Sequence, residues 1–116
     1  QYFGFDCVED HKTKFSYYLS IGRIKKLAKE YSPKAIIAYN YPAFVLQQLI
    51  KFCNKNDILC IGDVTEWYET RKSLSSIIKK IDINKRMLNL NFKVDGLIVI
   101  SEFLNNFYKN KKATKL

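Results

Sequence analysis

Apolar positions along this chain follow two spacings that alternate from one segment to the next. Short continuous apolar runs predict strands at Ala35–Tyr39, Ile58–Ile61 and Leu97–Ile100, and Tyr2–Phe5 is a candidate for an additional strand. Strands that are apolar throughout and alternate with helices are typical of a parallel sheet covered on both faces. We therefore predict an α/β fold, a Rossmann-like parallel sheet sandwiched by helices, in which side chains such as that of Ile98 are buried.

Helical spacing of the apolar residues predicts the segments between these strands. Helices are expected at Phe15–Tyr31 and Ala43–Cys53, with Pro42 at the first helical position of the second. Ser101 is a good N-cap for a short helix that ends at about Tyr108. A longer helix lies before the last strand; its apolar positions are Leu74, Ile77, Ile78, Ile81, Leu88 and Phe92, and its exposed ones are Lys79, Lys80 and Arg86.

The length of 116 residues fits one domain, and an apolar content of 47% supports a core without disulfides or metal. We expect residues 1–116 to form a single Rossmann-like domain. The sequence begins with Gln1 rather than methionine, which indicates a piece of a longer chain. No apolar run approaches the ~20 residues of a membrane-spanning helix, and no signal peptide is visible.

The three cysteines are odd in number and lack CxxC spacing. Cys53 and Cys60 lie in apolar stretches, where a reduced cysteine behaves as a small hydrophobic residue. A reducing, cytoplasmic location is therefore expected.

The formal net charge of +9 has two interpretations. Most of the basic residues are lysines, so the charge can be a solvated surface and nothing more. Alternatively it attracts an anionic partner, such as a phosphorylated acceptor, an acidic membrane surface on the cytoplasmic side, or nucleic acid. No recognised nucleic-acid-binding motif accompanies the charge, so nucleic acid is not the expected partner.

Polar and aromatic residues follow each of the predicted strands. The segment GDVTEWYE, residues 62–69, comes directly after Ile58–Ile61; YNYP, residues 39–42, and SEF, residues 101–103, stand at the ends of the other two. Ligands of parallel sheets bind beyond the carboxyl ends of the strands. The sequence therefore predicts a polar cleft to which all three junctions contribute.

Each candidate residue in this cleft also has a structural alternative. Asp63 can be a general base, a hydrogen-bond acceptor for a sugar hydroxyl or a phosphoacceptor, or it can cap the amides of Thr65 and Glu66. Glu66 has the same polar roles, or is solvated. Arg71 can face a phosphate or the solvent. The aromatic candidates can stack on a ligand ring or pack under a neighbouring helix; they are Tyr41, Trp67 and Tyr68.

Other site chemistries have little support in the sequence. His11 is the only histidine, and although it lies beside Glu9 and Asp10, no second cluster has metal-ligand spacing. No P-loop, GxGxxG or GxSxG motif is present. We expect neither a metal nor a cofactor.

Three segments together resemble a known family: AIIAYNYPAFVLQQLIKFC, ILCIGDVTEWYE and VDGLIVISEFLNNFY. They are similar to the N-terminal half of bacterial glycosyltransferases with the GT-B architecture, in the large nucleotide-sugar-dependent group often labelled glycosyl transferase group one. The resemblance covers residues 34–108. Its DVTEWYE and VDGLIVIS blocks are fairly specific in combination, although either alone is a weak signal.

This resemblance implies two Rossmann-like domains that face a cleft, with the N-terminal one on the acceptor side. It also implies transfer of a sugar from a nucleotide-sugar donor to a glycan or lipid-linked acceptor without an obligatory metal. Asp63 and Glu66 would then be the catalytic pair, in contact with acceptor hydroxyls or the reacting sugar. Ser101 and Glu102 would begin the helix on the same rim. With the candidates weighed above they complete the predicted substrate-binding set: Tyr41, Trp67, Tyr68, Arg71, Ser101 and Glu102.

The chain departs from the family pattern in two respects. The glycine-rich loop that usually follows the first strand is absent, and so is the C-terminal donor-binding domain with its paired glutamates. We therefore expect this chain to be inactive alone. We also expect the uncovered aromatic rim to allow self-association.

A receiver-like phosphoacceptor signalling domain is the main alternative. Glu9, Asp10, Asp63 and Ser101 match its acidic pair, acceptor and hydroxyl. It also needs a lysine at the end of a further strand, which the sequence lacks, and the Trp-Tyr pair after Asp63 fits it poorly. A basic nucleic-acid-binding α/β module is the third interpretation.

Overall fold

A computed structural model of the chain describes residues 11–65 and 74–109, with side chains over 21–65 and 77–109. The chain divides into two compact units, Gln1–Ser32 and Pro33–Leu116. The prediction of a single domain over residues 1–116 stays a prediction.

Helix α1, His11–Tyr31, belongs to the first unit and begins before the predicted Phe15. It ends where the Ser32 amide donates to the Ala28 carbonyl oxygen at 2.9 Å and Ser32 takes a positive φ of 47°. The candidate strand Tyr2–Phe5 lies outside the described residues.

The second unit alternates strands and helices. In chain order its elements are β1 Ala35–Tyr39, α2 Ala43–Lys55, β2 Leu59–Val64, α3 Leu74–Leu88, a 3₁₀ turn Leu90–Phe92, β3 Gly96–Val99 and α4 Glu102–Lys109. The strands form one sheet in the order β1-β2-β3, and both pairs are parallel. The prediction of a parallel sheet with these three strands as neighbours is confirmed. Over the described part of the chain, no helix combines the length and the apolar character of a membrane span.

Several element boundaries differ from the predictions, among them the end of α2, which is Lys55 rather than Cys53, and β3, which is Gly96–Val99 rather than Leu97–Ile100. β2 continues beyond Ile61 to Val64, so it includes Asp63, which the sequence had placed just after the strand. The long helix ends at Leu88, and the 3₁₀ turn follows it. Pro42 is the N-cap of α2 rather than its first residue.

The two faces of the sheet differ in burial. Residues of β2 and β3 paired in register share a face, and the buried face carries Ala38, Cys60, Gly62, Val64 and Leu97. The opposite face carries Ile37, Tyr39 and Leu59, which are all exposed, and Ile98, which is only half-buried. Within the second unit, helices therefore cover one face of the sheet. The prediction of a buried Ile98 is wrong, because its side chain is half-buried, and a sandwich with helices on both faces stays a prediction.

The direction of the chain explains why one face stays open. Both connections, from β1 to β2 and from β2 to β3, run the same way across the sheet. Parallel crossovers are almost always right-handed, so α2 and α3 cover the same face. The two helices pack against each other, and α4 joins this layer because Tyr108 contacts Met87 of α3.

The core lies between this helix layer and the buried face of the sheet. Its largest fully buried side chains include those of Leu49, Leu97, Leu104 and Tyr108. Gly62 allows a close approach here, because a Cβ at this position would lie 2.8 Å from Cδ2 of Leu97. The absence of a side chain at Gly62 thus lets Leu97 fill the space over the central strand.

Candidate functional site

The residues that follow the three strands meet at the carboxyl edge of the sheet, because the strands are parallel. Asn40–Pro42 follows β1, Thr65 follows β2 and Ser101 lies between β3 and α4. A small hollow of about 10 Å³, room for about one water molecule, opens at this edge. Its polar lining comes from Asn40, Tyr41, Asp63, Arg86 and Asn91.

The turn after β1 is held by α3. Asn40 adopts a φ of 50°, a left-handed conformation that asparagine tolerates better than most residues. The guanidinium Nη1 of Arg86 donates to the carbonyl oxygen of Tyr41 at 3.2 Å. The prediction of an exposed Arg86 is wrong: its side chain is half-buried because it reaches across to this turn.

The N-terminus of α2 carries a carboxylate from the neighbouring helix. The Ala43 amide donates to Oδ1 of Asp82 at 2.8 Å, while the N-cap Pro42 makes no side-chain bond of its own. One turn further along, Nζ of Lys85 donates to Oε1 of Gln47 at 2.9 Å. A helix N-terminus at a strand end is a common phosphate site. Here Asp82 supplies the anion from within the protein.

Asp63 is the penultimate residue of β2 and is half-buried. It pairs in register with Tyr39 of β1 and Ile98 of β3, so its side chain shares their face of the sheet. Beside Tyr41, Asp63 also borders the hollow, whose other strand residues, Ala38, Gly62 and Val64, belong to the helix-covered face. A carboxylate at this position can accept a hydrogen bond or a proton from a hydroxyl group that enters from the carboxyl edge.

Ser101 and Glu102 build the start of α4. Oγ of Ser101 accepts the Leu104 amide at 3.2 Å, and its carbonyl oxygen accepts the Asn105 amide at 3.0 Å, so the predicted N-cap is confirmed. Glu102 is exposed in the first turn, where a negative charge is favourable. Both residues lie at the carboxyl edge, and their substrate contacts stay a prediction.

Four of the predicted site residues fall outside the part of the chain that the structure describes. They are Glu66, Trp67, Tyr68 and Arg71. The described portion of the predicted site therefore consists of Tyr41, Asp63, Ser101 and Glu102.

A buried polar network lies beneath the hollow and was missed from the sequence. Tyr108 donates its hydroxyl to the Met87 carbonyl oxygen at 2.8 Å and accepts from Nδ2 of Asn91 at 3.1 Å. Burial raises the pKa of Tyr108, which keeps the phenol protonated. In the sequence Asn91 stands between two apolar residues, and nothing in that pattern indicates that its side chain is buried. Its role becomes visible only through its buried polar partner, Tyr108.

The two cysteines of the core are unsuited to nucleophilic chemistry. Cys53 and Cys60 are free and fully buried. Burial, the largest cause, raises the pKa of Cys60 to about 12 and also raises that of Cys53, so both are thiols at neutral pH. Cys60 is further fixed through its backbone, since its amide donates to Oδ2 of Asp95 at 2.8 Å. Both residues therefore act as core packing.

Among the described residues, no group of three or more histidine, cysteine, aspartate or glutamate side chains could hold a metal ion.

Comparison with known proteins assigns no family to this chain. No protein-family model matches the sequence, and searches of curated proteins and of solved structures gave no match either. The function is therefore inferred from the geometry of the carboxyl edge together with the three segments quoted above.

Proposed function

We propose that this chain is the acceptor-side half of a GT-B glycosyltransferase, which moves a sugar from a nucleotide-sugar donor to a glycan or lipid-linked acceptor. The observation that carries the proposal is the meeting of Tyr41 and Asp63 at one hollow on the carboxyl edge of a parallel sheet. Both residues belong to segments that resemble the family, YNYP and GDVTEWYE. The βα alternation agrees with one Rossmann-like half of that fold.

Asp63 is proposed to bind the acceptor hydroxyl. Its carboxylate accepts the hydroxyl proton as the hydroxyl oxygen forms a bond to the anomeric carbon of the donor sugar. The bond between that carbon and the diphosphate oxygen breaks, and the nucleoside diphosphate leaves with the electron pair. Glu66 provides a second carboxylate in this proposal, and Tyr41 contributes to the wall that holds the acceptor.

The remaining members of the proposed site orient the sugars. Aromatic rings offer apolar faces on which a sugar ring can lie, and charged or hydroxyl groups fix its rotation. The aromatic members are Trp67 and Tyr68, and the polar ones are Arg71, Ser101 and Glu102. The only small-molecule partners in this proposal are the donor and the acceptor, and the reaction uses no cofactor.

The donor is proposed to bind to a separate, donor-binding domain. The N-terminus of α2 is the place on this edge where a diphosphate would ordinarily be held, but its first amide already binds Asp82. A second anion there would be repelled by that carboxylate. This supports a division in which this half binds the acceptor and another domain binds the phosphates.

Nucleotide release from a panel of nucleotide sugars tests the proposal. The 116-residue chain alone is expected to release no nucleotide, whereas the longest product of the same reading frame, supplied with acceptor, is expected to turn over. In that longer product Asp63→Asn should lower turnover more than it weakens donor binding, with exposed Asn54→Asp on α2 as the control. Turnover by the chain alone, or an equal loss of donor affinity in Asp63→Asn, would contradict the proposal.

The two alternative functions give different results in simple assays. Acetyl phosphate or another small phosphodonor should label Asp63 if the chain is a receiver-like domain. Salt-dependent binding to DNA of unrelated sequences would instead favour a basic nucleic-acid module. Either result, in the absence of sugar transfer, would replace the glycosyltransferase proposal.

A further inference from the structure

An open groove of about 670 Å³ lies between α2 and the segment that connects α3 to β3. Its α2 wall includes Gln47, Ile50 and Lys51, which share one side of the helix because they are three and four residues apart. The opposite wall comes from residues 90 and 92–95, just before β3 begins at Gly96. The volume falls within the ~300–1,000 Å³ of small-molecule sites in proteins. We call this surface the amino-edge groove.

The amino-edge groove and the hollow beside Asp63 lie at opposite ends of the sheet. Asp95 is fixed next to the start of β2, because its amide donates to the Cys60 carbonyl oxygen and its Oδ2 accepts the Cys60 amide, both at 2.8 Å. Asp63 lies three residues further along β2, ~10 Å away at ~3.3 Å per residue. The groove is therefore a separate surface, and its chemistry is independent of the carboxyl edge.

The floor of the amino-edge groove is apolar and held in place by the core. Ile50, Leu90 and Val94 are buried. Phe92 is half-buried, and its ring packs on that of Tyr108 with 5.0 Å between the ring centroids. A ligand therefore meets a preformed apolar surface that includes an aromatic ring, and such a surface favours another aromatic ring.

The rim of the groove is positively charged. Lys51 on the α2 wall and Lys93 on the opposite wall are both exposed. Nζ of Lys85 adds a third ammonium group at one end, where it donates to Oε1 of Gln47 at 2.9 Å. Asp95 is the acidic member of the described lining, and one oxygen of its carboxylate already accepts a backbone amide. The ammonium groups outnumber this carboxylate, so the rim attracts anions.

We propose that the amino-edge groove binds a small organic anion that contains an aromatic ring. The ring lies on the apolar floor beside Phe92, and the anionic group lies between the ammonium groups of Lys51 and Lys93. A phosphate or a carboxylate group suits this position, because an ammonium group binds either of them as a point charge. The inference does not depend on the glycosyltransferase proposal, which concerns the opposite edge of the sheet.

The size of the groove favours a small molecule over a segment of a partner protein. Its α2 wall is two helical turns, ~10 Å, long. An extended peptide covers this length with about three residues. Each side of a stable protein interface contributes about 20–30 residues, far more than this groove accommodates.

Titration of the 116-residue chain with naphthyl phosphate, followed in NMR spectra of the backbone amides, tests the proposal. The amide signals of Ile50, Lys51, Lys93 and Asp95 are expected to shift. The dissociation constant should be about 1 mM or lower, as expected for a ligand of about 15 non-hydrogen atoms. Inorganic phosphate lacks the ring and naphthalenemethanol lacks the charge, so each should bind at least ~10-fold more weakly.

Matched variants assign the affinity to the groove. Lys51→Gln with Lys93→Gln should weaken the binding of naphthyl phosphate about tenfold, since each exposed ion pair contributes up to about fivefold. Lys79→Gln with Lys80→Gln is the control, because it removes the same charge from exposed positions of α3 outside the groove. This control should change the affinity by no more than about twofold. Phe92→Leu should weaken binding about threefold, because it removes the ring from the floor.

Circular dichroism of each variant confirms that it is folded, and the exposed lysine pair decides the question if Phe92→Leu is not. Naphthoate distinguishes the two sources of the anion: whichever of naphthoate and naphthyl phosphate binds more tightly identifies the natural ligand as a carboxylate or a phosphate ester. The proposal fails if naphthyl phosphate at about ten times the expected dissociation constant shifts none of the groove amides. It also fails if naphthalenemethanol or inorganic phosphate binds equally well, or if the two lysine pairs weaken binding equally. Shifts of the same amides with protein concentration alone would assign the groove to a second copy of the chain and overturn the proposal.

Discussion

The carboxylate of Asp82 on the N-terminus of α2 leads to a quantitative prediction. Asp82→Ala removes a side-chain acceptor that caps a helix amide, which costs about 1 kcal/mol, and it also removes a negative charge from the positive end of the helix, which costs about 0.3–1 kcal/mol. Alanine favours α3 by up to about 0.7 kcal/mol over aspartate. The unfolding free energy should therefore fall by about 1 kcal/mol.

Matched variants remove the contribution of helix propensity from this comparison. Asn84→Ala changes an exposed position of α3 and gains a similar propensity without a capping contact. The difference in unfolding free energy between Asp82→Ala and Asn84→Ala should be about 1–2 kcal/mol. Asp82→Asn keeps an acceptor and loses only the charge, so its cost should lie between the two.

Urea unfolding followed by circular dichroism provides the three free energies from one set of curves. Hydrogen exchange at the Ala43 amide provides a local measurement, and exchange should be faster in Asp82→Ala than in either other variant. Equal unfolding free energies for Asp82→Ala and Asn84→Ala, with unchanged exchange at Ala43, would refute the assignment of Asp82 as the cap of α2.

Three further predictions concern the core. Leu97→Ala should lower the unfolding free energy by about 2–5 kcal/mol in urea unfolding, and Ile98→Ala by less, because Leu97 is fully buried and Ile98 is not. Tyr108→Phe should cost about 1–3 kcal/mol in thermal or urea unfolding, since the Met87 carbonyl oxygen loses its buried donor. Burial raises the pKa of Cys60 from 9.0 to about 12, so above pH 9 the unfolded chain releases a proton that the folded chain keeps. The unfolding free energy should therefore fall by up to about 1.4 kcal/mol per pH unit as the pH rises above 9. Cys60→Ala should make this fall less steep.

Each of these has a result that would contradict it. A larger loss in Ile98→Ala than in Leu97→Ala would mean that the open face of the sheet is covered in solution. An unchanged stability in Tyr108→Phe would mean that water replaces the hydroxyl. If Cys60→Ala and the wild-type chain lose stability in parallel from pH 9 to 11, burial does not hold the thiol protonated.

The sheet was largely predictable from the sequence, because each strand is a continuous apolar run bounded by polar residues. β1 was predicted at its observed bounds, Ala35–Tyr39. β2 was cut short at Ile61, since Gly62 and Asp63 do not resemble strand residues when seen alone. Pairing with both neighbouring strands extends β2 through them, and that pairing depends on residues far away in the chain.

The covering of the sheet was less predictable. A continuous apolar run is typical of a strand buried on both faces, but an apolar residue such as Ile37 is also compatible with an open face. The helical spacing of the apolar positions in α3 is typical of a stripe that faces the core, whereas Ile77, Ile78, Ile81 and Leu88 are exposed and Met87 is buried. Periodicity locates a helix and its apolar positions, but it does not say which of two apolar sides meets the core.

The candidate site was predictable only at the level of the sheet edge. The topology brings Tyr41, Asp63 and Ser101 to that edge, as parallel strands require. Asp82 and Arg86 were missed because their partners are backbone groups of a turn about 40 residues earlier, which leave no mark on the sequence pattern. Their four-residue spacing on one side of a helix was the available signal.

The connections from β1 to β2 and from β2 to β3 run in the same direction across the sheet, and this limits where a binding crevice can open. Ligands of doubly wound sheets bind at a switch point, where the strand order reverses and the flanking helices diverge to opposite sides. Among the strands that the structure describes, the order β1-β2-β3 contains no reversal, so a switch point requires another strand at the outer edge of β1 or of β3. A strand added beside β1 would make Tyr41 the first side chain that a ligand meets and Asp63, one strand further in, the second.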